Sequence, residues 1–362
     1  MVVASRLTDR MAACRPGWSV PCDPAGRSGG ARVATRGYGE GMPTPTPCSE
    51  LWDEDALWGT APPTRFWLAL EQRGPWGALA FEQSRLDPQV GKVLHDEAER
   101  AGGRAVLIRR IGHQAHGPSG SPHRVFLAGG MPSGEPWLLT AVLDEPAVLT
   151  DLPWEALAAG DRAAARAALP GAQEASEPIL LVCTNAKRDV CCATRGRAVA
   201  TFAAERRGTQ VWESSHLSGH RYAATAVTLP LGVMYGRLDG DLAVAALDAA
   251  GRGEVAEGAV DGVEAASAHL RGLAHLSPAE QAADAYARGL GRRHQAGAVS
   301  TRVLETDPRA EQVTHRVEVT DADARLTSVL DVVEHVRADR PGSCGGVPKA
   351  TVTYEVRPVE EP

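Results

Sequence analysis

The sequence predicts an α/β fold followed by a smaller α+β region, and three observations carry that prediction. Short apolar runs rich in Val, Leu and Ile, bounded by Gly, Pro or charged residues, alternate with amphipathic stretches of helical length. The order strand, helix, strand, strand, strand, helix runs twice in succession. The last 60 residues read as β-rich.

In the first round, RFWLALEQ (65 to 72) reads as a strand. DPQVGKVLHDEAERAG (87 to 102) reads as a helix, with Asp87 as its cap and Pro88 at its first position, where a missing N–H costs nothing. GRAVLIRR, HRVFLAGG and PWLLTAVL follow as strands, and one helix from Asp151 through LPWEALAAGDRAAARAAL closes the round. The second round comprises PILLVCT (178 to 184), a helix near 193 to 207, the strand TQVWESS, the pair YAATAVTL and GVMYGRL, and a helix from Asp239 through AVAALDAA. A strand, crossover helix and strand followed by an antiparallel pair and a helix is the layout of a thioredoxin-like sheet. Residues 252 to 297 read as helical, with SPAEQAADAYARGLGRR starting at a Ser cap and a Pro, and THRVEVT and ATVTYEV read as strands. The expected division is a disordered tail (1–41), an N-terminal thioredoxin-like domain (42–172), a second one (173–255), and a helical then β-rich C-terminal region (256–362).

Composition narrows the function. A chain of 362 residues, 43% apolar and 23% charged, suits a globular protein with a sizeable core. Its apolar runs are well short of the roughly 20 residues that span a bilayer, so no membrane association is expected. A net charge of -7 and a pI near 5.9 argue against a nucleic-acid binder. Seven cysteines at irregular spacing, two of them adjacent, suit a reducing, cytoplasmic setting better than a disulfide framework. The first 41 residues carry six arginines and no apolar segment, so they are not a secretory signal, and Met42 is a candidate natural start.

Chemistry concentrates in LVCTNAKRDVCCATRGR and WESSHLSGHRYA. Cys183, Cys192, His216 and His220 supply two thiolates and two imidazoles, the ligand set of a Rieske-like 2Fe-2S centre. Soft sulfur and borderline nitrogen suit iron or zinc and exclude calcium and magnesium. Eight residues separate the two cysteines, too many for a zinc finger. His216 and His220 could share one helix face, but Ser214, Ser215, Ser218 and Gly219 suggest a turn, with Gly219 letting the backbone pass close to the centre. Around them Lys187, Arg188, Arg195, Arg197, Arg206, Arg207 and Arg221 outnumber the acidic residues seven to three, a patch that would attract an acidic partner or an anionic reductant, or simply be solvated.

These segments resemble the sucrase/ferredoxin-like family, similar to the thioredoxin-like ferredoxins. The resemblance rests on Val182 to Cys192, Arg195 to Arg197, Ser215 to Arg221 and Gly232 to Leu238, with weaker echoes at Gly59, Glu71 to Gly77, Ser84 to Pro88 and Ser343 to Gly345. It implies a thioredoxin-like ferredoxin domain preceded by a degenerate thioredoxin-like repeat. It also implies a 2Fe-2S cluster held by Cys183, Cys192, His216 and His220, with Cys191 beside a ligand without being one. Asn185 stands where many relatives have a histidine, and Ser218 where a second glycine is common; neither is a ligand. No pair of carboxylates sits in a recognisable glycosidase pattern.

The expected function is one-electron, proton-coupled transfer, because imidazole ligands raise a cluster's potential and keep a titratable second nitrogen. An electron donor or acceptor protein, or a small redox molecule, is the implied partner. Lys187, Arg188, Cys191, Arg195, Arg197, Gly219 and Arg221 are the neighbours expected around the ligands. Two other readings stand beside this: a binding module stabilised by zinc, and a thiol oxidoreductase using Cys191 and Cys192 or Cys344, weakened by the absence of Cys-x-x-Cys. For Trp212 and Tyr222, shielding of the centre competes with ordinary core packing. The histidines of HQAHGPSGSPH (His113, His116, His123) read as part of a flexible hairpin insertion.

Overall fold

A computed structural model describes residues 46–52, 54–112, 122–259, 269–291, 294–309 and 312–359. The expected tail, and His113 and His116, lie outside these residues. The first round of elements comprises β1 (Trp67–Glu71), α1 (Pro88–Arg100), β2 (Arg104–Arg109), β3 (His123–Gly129), β4 (Trp137–Leu143), α2 (Trp154–Ala158) and α3 (Arg162–Ala168). After the short β5 (Gln173–Glu174), the second comprises β6 (Ile179–Cys183), α4 (Arg197–Arg207), β7 (Val211–Ser214), β8 (Ala226–Leu229), β9 (Val233–Tyr235) and α5 (Gly240–Gly251). There follow β10 (Leu270–Leu273), α6 (Pro278–Gly291) and four strands, β11 (Val299–Asp307), β12 (Thr314–Asp321), β13 (Leu326–Pro341) and β14 (Pro348–Pro358).

β1 to β10 build one mixed sheet in the order β10-β9-β8-β6-β7-β2-β1-β3-β4-β5. Within it, β4-β3-β1-β2 and β9-β8-β6-β7 repeat the same arrangement. In each, the first two strands pair in parallel through a crossover helix and the third runs antiparallel to its neighbours. The two sets meet where Ile108 and Arg109 of β2 pair antiparallel with Ser214 and Glu213 of β7.

Alternation along the strands sorts the core into layers. Leu180 and Val182 of β6 pack with Val199, Ala200 and Ala203 of α4 and Ala246 and Leu247 of α5. Leu68, Leu70 and Leu107 face Leu94 and Ala98 of α1. The opposite faces of both sets share one layer, in which Trp67, Ala69 and Ile108 join Leu181, Cys183 and Trp212. α6 buries Ala279, Ala282 and Ala283 in the same core as Val317, Val319, Leu330 and Val332 of the C-terminal sheet β11-β12-β13-β14.

Local chemistry explains the ends of several elements. Asp87 accepts hydrogen bonds from the N–H groups of Gln89 and Val90, as expected of a cap, and Asp239 accepts one from Leu242. At α6, Ser277 and Glu280 form a reciprocal capping box. The single helix expected from Asp151 is instead two short ones, because Gly160 adopts φ +80° between them and Asp161 caps the second. Residues 252–259 and 269–277 are not helical: Gly253 and Gly258 take positive φ, and the chain then supplies β10 to the sheet edge. The β2-to-β3 connection is not a hairpin, since β1 lies between the two strands. His123 opens β3, its Nδ1 2.7 Å from the Glu71 carbonyl oxygen. Among the described residues, no helix is long and apolar enough to cross a membrane.

Candidate metal centre

Cys183 ends β6, with its N–H donating to the Thr225 carbonyl at 2.9 Å and that of Thr184 donating to Ser214 at 3.0 Å. The chain then turns tightly, since the N–H groups of Arg188 and Asp189 both donate to the Asn185 carbonyl. It enters α4 through a π-helical turn from Cys192 to Gly196. Gly196 makes this possible: a Cβ there would stand 2.0 Å from the Cys183 carbonyl oxygen. The helix entry therefore presses against the strand end, and Cys192 and Cys183 lie buried in the same core layer.

The histidines are delivered from β7. Ser215, just past the strand, exchanges two hydrogen bonds with Leu107 of β2 (2.8 and 3.0 Å). Ser218 and Gly219 both take φ 70°, and His220 opens a short 3-10 turn, so the motif is a loop and not a helix face. The imidazole rings of His216 and His220 lie 5.1 Å apart at 37°. Both Nδ1 atoms are buried and lack a hydrogen-bond partner.

Two arginines absent from the sequence-based site hold this loop. Arg104 donates to the His216 carbonyl at 3.2 Å, and the fully buried Arg271 of β10 donates to the Ser218 carbonyl at 3.1 Å and to Thr60. Gly219 leaves room for Arg271, whose guanidinium a Cβ would meet at 2.6 Å. Arg271 lies in an apolar strand, so nothing in its own segment marked it.

Electrostatics favour a thiolate at Cys183 and a neutral imidazole at His220. Hydrogen bonding from Cys192 holds the Cys183 thiol well below its ordinary range; burial opposes this, while His216 and the Leu217 N–H assist. Cys192 is correspondingly pushed up, by Cys183 and then by burial. Burial, then His216, lowers His220, which keeps its imidazole neutral and fit to bind a metal. Lys187 and Arg188 are exposed, Arg195 pairs with Glu50 at 3.6 Å, and Arg221 lies over the rings of Trp52 and Tyr222. Arg197 keeps a buried Nε without a hydrogen-bond partner. Trp212 is wholly buried in the shared core, edge-on to Phe126, and Tyr222 is buried against Trp52.

A cavity of about 180 Å³ reaches this region, lined by Phe81, His95, Arg104, Arg188, Ser215 and His216. It brings solvent to the histidine side of the site, whereas Cys183 and Cys192 are only 1% exposed.

Cys191 turns away from Cys192. Its sulfur joins those of Cys48 and Cys344 and the Asp189 carboxylate, all four ligand atoms lying within 4.8 Å of one another, a group that could hold a metal ion. Sequence reasoning offered Cys344 only as a candidate thiol for an oxidoreductase and gave Cys48 no role. No local signal links residues this distant in the chain.

A family model described as sucrase/ferredoxin-like matches residues 57–257, more than half of the chain. No curated protein and no solved structure matches it.

Proposed function

Because the chain belongs to the sucrase/ferredoxin-like family, we propose that Cys183, Cys192, His216 and His220 hold a 2Fe-2S cluster and that the protein transfers electrons one at a time. The observation that carries this reading is the pair of buried, unpartnered Nδ1 atoms on His216 and His220 near the buried Cys183 and Cys192 thiols. Buried polar atoms are normally satisfied, so two orphaned imidazole nitrogens at one place call for a ligand. Among the described residues, the group drawn together tightly enough for a single ion is the one containing Cys48, which counts against a lone zinc on the other four. The repeated strand order, fourth, third, first, second, supports a thioredoxin-like reading of both halves, with the first lacking the ligand residues.

When bound, such a cluster supplies a one-electron couple whose potential two neutral imidazoles raise above that of all-cysteine ferredoxins. The residues divide the remaining work. Arg104 and Arg271 fix the histidine loop through its carbonyl oxygens. The cavity beside His216 gives water and a partner access, while exposed Lys187 and Arg188 present positive charge to an acidic protein or an anionic reductant. The compartment we infer is the cytoplasm.

The test is iron and acid-labile sulfide analysis of protein purified without oxygen, with visible and EPR spectra. About two of each per chain, and absorption bleached by dithionite, are expected. A colourless protein without labile sulfide, or a spectrum unchanged in His216→Ala, overturns the proposal. Proton coupling through the imidazoles predicts a potential that falls as pH rises, and a flat titration excludes it.

A further inference from the structure

We propose that Cys48, Cys191, Cys344 and Asp189 form a second centre, adjoining the first where Asp189 Oδ2 lies 3.9 Å from His220 Nε2, that binds a single zinc ion and ties three distant segments of the chain together. The sulfurs form a near-equilateral triangle: Cys48 to Cys191 3.6 Å, Cys48 to Cys344 3.6 Å, and Cys191 to Cys344 3.2 Å. The Asp189 oxygens lie 3.7 and 3.9 Å from the Cys48 sulfur. A tetrahedral zinc ion, with bonds of about 2.3 Å to sulfur and about 2.0 Å to oxygen, sets sulfur atoms ~3.8 Å apart and sulfur and oxygen ~3.5 Å apart. The four side chains are close to that arrangement already.

A disulfide explains the triangle less well, because it would draw two sulfurs together and leave the third behind. The surroundings also suit bound thiolates. The Cys48 N–H donates to the Cys344 sulfur and the Ser49 hydroxyl to the Cys191 sulfur, each at 3.4 Å. Asp189 is aimed by two backbone donors, Cys191 N–H at 2.8 Å and Cys344 N–H at 2.9 Å. Asp189 is only 4% exposed. A buried carboxylate among buried thiols is best compensated by a cation, and soft sulfur with one oxygen selects zinc over magnesium or calcium. On binding, the thiols release their protons to solvent as the zinc–sulfur bonds form.

The centre staples the segment at Cys48 and the β13–β14 loop at Cys344 onto the 183–192 turn, spans of 143 and 153 residues from Cys191. Such long-range closure makes zinc binding part of folding.

Zinc should be measured in the full-length chain and in Cys48→Ser, Cys344→Ser and His216→Ala/His220→Ala, each produced with added zinc. The expected result is about one zinc per chain in the first and last, and loss of most of it in both cysteine variants. As a cysteine variant may misfold, the unmutated chain loaded with cobalt gives a second readout: the intense visible bands of a tetrahedral thiolate site, retained in the double histidine variant. Zinc unchanged in the cysteine variants, zinc lost only with the histidines, or a Cys191–Cys344 disulfide mapped in the metal-free chain overturns the proposal. Because the histidine variants abolish only the iron reading, failure of one proposal is told apart from failure of the other.

Discussion

Glu213→Leu is expected to destabilise the protein more than any single surface change, because it strands a buried cation at the junction of the two strand sets. Arg109 Nε and Glu213 Oε2 are 2.5 Å apart, with side chains 5% and 2% exposed. Arg109 also donates to the Gly74 carbonyl at 3.0 Å, and its guanidinium lies 4.0 Å over the Trp76 ring, so it cannot swing into water without dismantling its surroundings. Removing one partner of a buried ion pair costs about 3–5 kcal/mol, most of it the penalty for the charge left behind. With a urea slope of about 3 kcal/mol per molar, the midpoint falls by roughly 1–2 M. Replacing both partners, as Arg109→Met with Glu213→Leu, removes that stranded charge and recovers most of the loss, and the cycle of single and double variants isolates the coupling. Urea denaturation followed by circular dichroism is the assay. A Glu213→Leu variant that loses less than about 1 kcal/mol, or a double variant no better than the single, refutes this reasoning.

Further outcomes follow from other contacts. Gly196→Ala places a methyl group 2.0 Å from the Cys183 carbonyl oxygen, so the strand end and helix entry must part; bound iron should fall several-fold while circular dichroism stays near normal, and unchanged iron refutes the close approach. Asp248, paired with Arg207 through two hydrogen bonds, is held below the ordinary carboxylate range by that contact. Its contribution to stability is therefore present above about pH 4 and lost as pH falls through the depressed value. Asp248→Asn should flatten the acid limb of a stability profile, and an unaltered limb rules this out. Asp87→Ala removes a cap shared by two N–H groups and should cost about 1 kcal/mol in thermal or urea denaturation.

The strands and caps were legible because their signals are local. β6 is apolar at every position and β2 at every position between its terminal arginines, as strands buried on both faces must be, and Asp87, Asp239 and Ser277 sit at helix starts with little competition. The stretch after Gly251 misled because alanine and glutamate favour helix locally, whereas the glycines at 253 and 258 and the sheet's need for β10 prevail. At the site, the Cys and His pairs were visible as short loops. Arg271 and Arg104 were not, since what they hold lies across the fold. Cys48 and Cys344, 296 residues apart, become neighbours only through tertiary structure.

Adjacent placement of Cys191 and Cys192 with opposite headings has a practical consequence for thiol-reactive reagents. Among the described cysteines, a reagent arriving from solvent meets Cys344 first, as Cys48, Cys183, Cys191 and Cys192 are all at most 3% exposed. Once Cys344 is capped, the bulk it adds presses on Cys191, and through a single peptide link on Cys192. Damage at the rim would thus reach the inner pocket by mechanical transmission, without the reagent ever entering it.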